Sequence, residues 1–246
     1  MSAPPESPSP TDAIVRRSLR APLAITATLT AAAILALFVG RVMRWGDWQE
    51  PTTLLASTGF VLVALAGGAS RFAYGRFVLA GLACCWIGDM VGPHHFMLGA
   101  YAFLLAHLLL IPGFLTLRPT WRAAAMAVAP LGLTSGIATA LLWPHIPPGD
   151  RLSILAYTTV ISLMVVVAAG TGHRCRLIPV AAVLFYLSDL FVGRWKYIGG
   201  DWNGLFCYPL YYTACLLFAW SVYQVGTKNM AGTADLVVAN RSGGTA

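Results

Sequence analysis

Charge is what this sequence has least of. Lysine and arginine number 16 and aspartate and glutamate nine, so that charged residues make up 10% of the 246. An ordinary soluble domain carries roughly 25%. A disordered chain would be charge-rich and poor in apolar residues, whereas 58% of this one is hydrophobic and its mean hydropathy is +0.71. That balance excludes disorder and a conventional water-soluble enzyme. Zinc-spaced Cys/His sets and CxxC pairs are also missing: the five cysteines, Cys84, Cys85, Cys175, Cys207 and Cys215, lie in or beside apolar runs. There is no P-loop, no dinucleotide fingerprint and no nucleophile elbow.

What the sequence does have is long apolar stretches. A transmembrane helix needs about 20 mostly apolar residues. Eight such runs fall at about 22–40, 52–70, 77–92, 96–116, 122–143, 152–170, 177–193 and 204–225. They are too long for barrel strands, so the expected fold is an all-α bundle of eight transmembrane helices over residues 21–225. Residues 1–20, with four prolines, and 226–246, rich in Gly, Thr and Ala, read as disordered cytoplasmic tails. Arg16-Arg17 resembles a twin-arginine signal, but the run after it is span-length and seven more follow.

Alternate loops differ in positive charge. Eleven Lys and Arg fall on the side that holds both termini, and five (Arg41, Arg44, Arg151, Arg194, Lys196) on the other. The positive-inside rule then predicts a multi-pass protein with both termini in the cytoplasm. The net charge of +7 is read as topology and attraction to anionic membrane lipids, with no nucleic-acid partner.

Of the nine acids, only Asp89 and Asp189 lie inside apolar runs. Each costs on the order of 2.5–3.5 kcal/mol at mid-helix, which makes such residues functional by default. Asp89 follows Arg76 by 13 residues and Asp189 follows Arg176 by the same 13, placing both about 20 Å along their helices. The 100-residue offset points to two four-helix halves in parallel orientation. Gly81, Cys85, Gly88 and Gly92 form a stripe that admits a close neighbour to Asp89. On the next run Phe96, Gly99, Phe103 and His107 share one face, and His107 is the only histidine deep in a span. Tyr186 and Ser188 flank Asp189, with Arg194 and Lys196 just beyond, and Tyr157, Ser162, Tyr208, Tyr211 and Tyr212 add hydroxyls at span depth. Singly, such hydroxyls are usually interhelical glue. His94 and His95 read as surface residues and the Gly132–Gly136 GxxxG as packing.

Gly88-Asp89, then Phe96-x2-Gly99-x3-Phe103-x3-His107, then Ser188-Asp189 resemble the signature of the YhhN-type lysoplasmalogenase family. Tyr157 with Met164, and Tyr211-Tyr212, fall where that family tends to have such residues; Leu110 departs from a tyrosine often found there. The resemblance covers about residues 22–225. It implies an integral membrane hydrolase that cleaves the vinyl ether of a lysoplasmalogen to a fatty aldehyde and glycerophosphoethanolamine or glycerophosphocholine, with no cofactor and no metal.

The residues suit that chemistry independently. A vinyl ether is hydrolysed by protonation of its β-carbon, trapping of the oxocarbenium ion by water and collapse of the hemiacetal, which calls for an acid and a base. Two carboxyls in one water-poor site divide these roles because like charges there do not both ionise, as in glycosidases. The expected site is therefore an Asp89/Asp189 dyad sharing a proton and oriented by His107. Tyr157, Tyr186, Ser188, Tyr211, Tyr212 and Phe103 would contact substrate, and Arg194 and Lys196 would meet the lipid phosphate. Two other classes fit parts of the pattern: a proton-coupled transporter, and a ceramidase-like hydrolase of another lipid bond, which would need three convergent metal ligands.

Overall fold

The computed structural model describes residues 10–44, 48–200 and 202–242, with side chains placed for 21–44, 48–200 and 202–228. Glu6, Asp47 and Asp201 lie outside the described residues. Eight α-helices follow one another: α1 (Pro10–Val42), α2 (Gln49–Ala66), α3 (Ala73–Val91), α4 (Phe96–Leu115), α5 (Trp121–Leu142), α6 (Arg151–Ala169), α7 (Leu177–Tyr197) and α8 (Asn203–Ser242). No strand occurs among the described residues. Helix is the one open-ended structure that satisfies its own backbone in lipid.

Seven of these helices are long and apolar enough to cross a membrane, not eight as expected from the apolar runs. The exception is α2, whose 18 residues begin Gln49-Glu50-Pro51 and stop before Gly67-Gly68. Gly68, at φ +86°, takes a left-handed conformation that ends the run. Helix also continues into both stretches assigned to tails, since α1 begins at Pro10 and α8 runs to Ser242.

Neighbours in sequence pack as pairs: α1 on α2, α3 on α4 and α7 on α8. Further contacts of α2 and α3 with α8, α4 with α6, and α6 with α7 close these pairs into one bundle. Its core holds Phe60, Tyr74, Phe114, Phe185, Tyr212 and Phe218, all essentially inaccessible. The small-residue stripe on α3 does face α4. A Cβ on Gly99 would stand 2.6 Å from Gly92 Cα, and one on Gly88 would stand 2.8 Å from the Phe103 ring. Only glycine permits this approach.

The Gly132–Gly136 motif behaves otherwise. An added Cβ at either glycine would meet nothing within 4 Å, so the motif is not a packing seam among the described residues. Helix α5 is peripheral, with Ala124 and Ser135 its buried residues. Its Met126, Val128, Leu133, Ile137 and Leu141 are exposed, as suits a lipid-facing surface.

Candidate active site

A cavity of about 1050 Å³ opens inside the bundle, near the upper end of the range for small-molecule sites. Its walls come from the C-terminal portions of α1, α3, α5 and α7 and the N-terminal portions of α2, α4, α6 and α8. It therefore occupies the end of the bundle opposite the chain termini. Asp89 and Asp189 both line it. They are not at equal positions in their helices: Asp89 is two residues short of the end of α3, whereas eight residues of α7 follow Asp189. Counting from the preceding arginines conceals this difference, because α3 begins at Ala73, before Arg76, and α7 begins only after Arg176.

Each carboxyl is held by hydroxyls. Asp89 Oδ2 accepts hydrogen bonds from Ser57 Oγ on α2 at 2.5 Å and from the Tyr211 hydroxyl on α8 at 2.9 Å. Asp189 Oδ2 accepts one from the Tyr157 hydroxyl on α6 at 2.7 Å. His107 Nε2 stands 3.6 Å from the same oxygen, with the histidine wholly buried. Neither of its ring nitrogens makes a hydrogen bond of good geometry among the described residues. The ring is wedged between Tyr157 and Phe185, at centroid distances of 5.6 and 4.6 Å. The two carboxyls are thus held by separate donors, Asp89 from α2 and α8 and Asp189 from α6.

The remaining candidates separate into three groups. Phe103, Tyr186, Ser188 and Lys196 line the cavity with the aspartates, Tyr157 and Tyr211. The Tyr186 hydroxyl is engaged by Ser135 on α5 at 2.8 Å, and Ser188 Oγ donates to Phe185 O at 2.7 Å, leaving only a long 3.5 Å contact to Asp189. Tyr212 lies behind the wall, fully buried, with its hydroxyl 3.4 Å from Ser57 Oγ.

Arg194 does not line the cavity. It ties the α7–α8 turn, donating to Asn203 Oδ1 at 2.9 Å and Gly199 O at 3.3 Å while lying 4.1 Å over the Trp202 ring. Residues two apart on a helix point in widely different directions, so Arg194 and Lys196 were never placed to grip one phosphate together.

Sequence reasoning missed two residues of the site. Ser57 is an isolated serine in an apolar run, yet it precedes Asp89 by 32 residues, the interval by which Tyr157 precedes Asp189. Arg41, counted only as a loop charge, lines the cavity and hydrogen-bonds the Tyr208 hydroxyl. Among the described residues, no group of three His, Cys, Asp or Glu converges as metal ligands would.

Fold and site together define a multi-pass helical membrane protein with a carboxyl-lined cavity inside its bundle. The chain belongs to the YhhN family, whose sequence profile matches residues 51–222. Two curated relatives, from Mycobacterium bovis and Mycobacterium tuberculosis and both named lysoplasmalogenase, are each 29% identical to it over 204 residues, 80% of this chain and 66% of theirs. The chain thus spans just under two thirds of the length of those relatives. No solved structure matches it.

Proposed function

We propose that the protein is an integral membrane hydrolase that cleaves the vinyl-ether bond of a lysoplasmalogen, releasing a fatty aldehyde and glycerophosphoethanolamine or glycerophosphocholine. The observation that carries this reading is the meeting of the two intramembrane carboxyls, each cradled by hydroxyl donors, on one cavity. The names of the two mycobacterial relatives and the family membership support it.

In this reading Asp89 and Asp189 take separate roles. Asp89, which accepts hydrogen bonds from the hydroxyls of Ser57 and Tyr211, serves as the base. Asp189, held by Tyr157 and oriented by the His107 ring, is the proton donor. Asp189 delivers its proton to the β-carbon of the vinyl ether, leaving an oxocarbenium ion. Asp89 takes a proton from the water that adds to the neighbouring α-carbon, the one bonded to the ether oxygen, giving the hemiacetal. The hemiacetal then loses its hydroxyl proton as the ether oxygen gains one, and the bond to the glycerol oxygen breaks. The chain is taken as two four-helix halves, with Ser57 and Asp89 in the first matching Tyr157 and Asp189 in the second. Both termini are taken as cytoplasmic.

The test is aldehyde release from a lysoplasmalogen by purified protein in detergent, where no sealed membrane exists to support transport. Wild-type protein should release aldehyde, and Asp89→Asn and Asp189→Asn should each abolish it while unfolding at the wild-type temperature. Near wild-type turnover by either variant would sink the reading.

A further inference from the structure

The mouth of the cavity carries two cations that the proposed reaction does not use. Arg41, in the last turn of α1, and Lys196, in the last turn of α7, both line it. Both are held by aromatic rings. The Arg41 guanidinium carbon lies 3.7 Å from the Tyr208 ring centroid and 5.6 Å from that of Trp195. Lys196 Nζ lies 4.5 Å over the Phe96 ring. Neither cation is within 4 Å of a carboxylate among the described residues, where the one such contact is between His107 and Asp189. Glu50, exposed on the same rim at the start of α2, is paired with neither.

A cation held over a ring keeps its charge, whereas one paired with a carboxylate is already neutralised. Arg41 Nε is in addition buried with no hydrogen-bond partner among the described residues, so this guanidinium has a donor to offer. Below the cations the cavity wall is largely apolar, with Leu104, Ala138, Leu142 and Ile161 among its residues. A positive rim above an apolar shaft fits an amphiphile with an anionic head and one chain. The register along α8 fits as well. Tyr208, which holds Arg41, precedes Tyr211, which holds Asp89, by one helical turn, about 4.5 Å of rise. A glycerol unit that carries a phosphate at one end and an ether oxygen at the other bridges a gap of that order.

We propose that Arg41 and Lys196 clamp the phosphate of a single-chain phospholipid at the mouth of the cavity, with the chain running inward past Asp89 and Asp189. The proposal rests on the lipid-hydrolase reading for its orientation, but it concerns the phosphate rather than the bond that is cut. It also sets substrate entry at the bundle end opposite the termini.

The test uses a saturated 1-O-alkyl glycerophosphocholine, which has the phosphate and the chain but no vinyl ether. Its binding to purified protein in a phosphate-free sugar detergent is followed by tryptophan fluorescence, beside inorganic phosphate and the matching 1-O-alkylglycerol. Arg41→Gln and Lys196→Gln should each weaken binding of the phospholipid roughly tenfold or more, the size expected for loss of a charge-assisted contact. Binding of the alkylglycerol should be weak and the same in every variant. Arg44→Gln removes a neighbouring charge outside the cavity and should change nothing.

Thermal unfolding checks each variant, and Arg41→Lys keeps a cation if Arg41→Gln does not fold; it should then retain most of the affinity. Unchanged phospholipid binding in both Gln variants would overturn the clamp. So would inorganic phosphate binding as tightly as the phospholipid, which would mark a free-anion site. If the variants lose phospholipid binding while wild type releases no aldehyde from a lysoplasmalogen, the clamp stands and the reaction assigned above falls.

Discussion

Ser57 donates a 2.5 Å hydrogen bond to Asp89, the residue 32 positions further along the chain. Tyr157 donates to Asp189 across the same interval of 32. In each case a hydroxyl on one helix holds a carboxyl on the next, one pair formed by α2 and α3 and the other by α6 and α7. The pairing gives an acid within the bundle a hydroxyl donor from the neighbouring helix, which lowers the cost of placing a carboxyl among apolar residues.

The hydroxyl donors should govern turnover more than affinity. Tyr157→Phe and Tyr211→Phe remove one hydrogen bond to Asp189 and Asp89 respectively. A hydrogen bond to a charged group is worth about 1.5–3 kcal/mol, so kcat for aldehyde release should fall roughly 10- to 100-fold with KM little changed. Ser57→Ala should cost less than Ser57→Ala with Tyr211→Phe, because either donor alone still holds Asp89. Steady-state kinetics in detergent decide this, and an altered KM at constant kcat would contradict it.

Glycine substitutions should separate the packed seam from the outer surface. Gly99→Ala drives a methyl toward the Gly92 backbone at 2.6 Å, whereas Gly132→Ala points one into open space. The first should lower stability by about 1–3 kcal/mol, and the second should be neutral or slightly stabilising. Thermal unfolding of the two variants in one detergent gives the comparison.

Arg194→Ala should damage the fold rather than the recognition of substrate. It removes the ties to Asn203 and Gly199 and the contact with Trp202 that secure the α7–α8 turn. A loss of about 1–3 kcal/mol in stability is expected, with the KM of the folded fraction unchanged. A raised KM at wild-type stability would return Arg194 to the substrate site.

Chelation distinguishes the carboxyl reading from a metal-dependent amide hydrolase. No three potential ligands converge among the described residues, and His107 faces Asp189 and two aromatic rings. Aldehyde release should therefore survive exhaustive dialysis against a strong chelator, and restoration of a lost activity by zinc would contradict the mechanism.

Much of this architecture was legible in the sequence because lipid imposes so plain a code. Long apolar runs placed all eight helices to within a few residues at most ends, and the two stranded aspartates named the cavity. The failures have local causes. The apolar stretch of the second run extends over about 52–70, whereas Gly67 and Gly68 end α2 and its first turn is polar. Ser57 carried no signal alone; its meaning depends on α2 lying against α3. Arg41 looked like a loop charge because nothing local shows that Tyr208, 167 residues away, accepts its hydrogen bond. The Gly132–Gly136 spacing is the same whether a helix partner or lipid lies outside it, and here none of the described residues does.

The support of the two carboxyls crosses the molecule. Asp89 on α3 takes one of its hydrogen bonds from Tyr211 on α8, and Asp189 on α7 has His107 of α4 against it. A chain severed in the connection between α4 and α5 would give two fragments, each with one aspartate lacking a partner that the other fragment owns. Complementation of the fragments would therefore restore both carboxyl environments at once or neither. During insertion, both carboxyl environments are completed only when the last helix docks, so that an unfinished bundle leaves Asp89 without its Tyr211 partner.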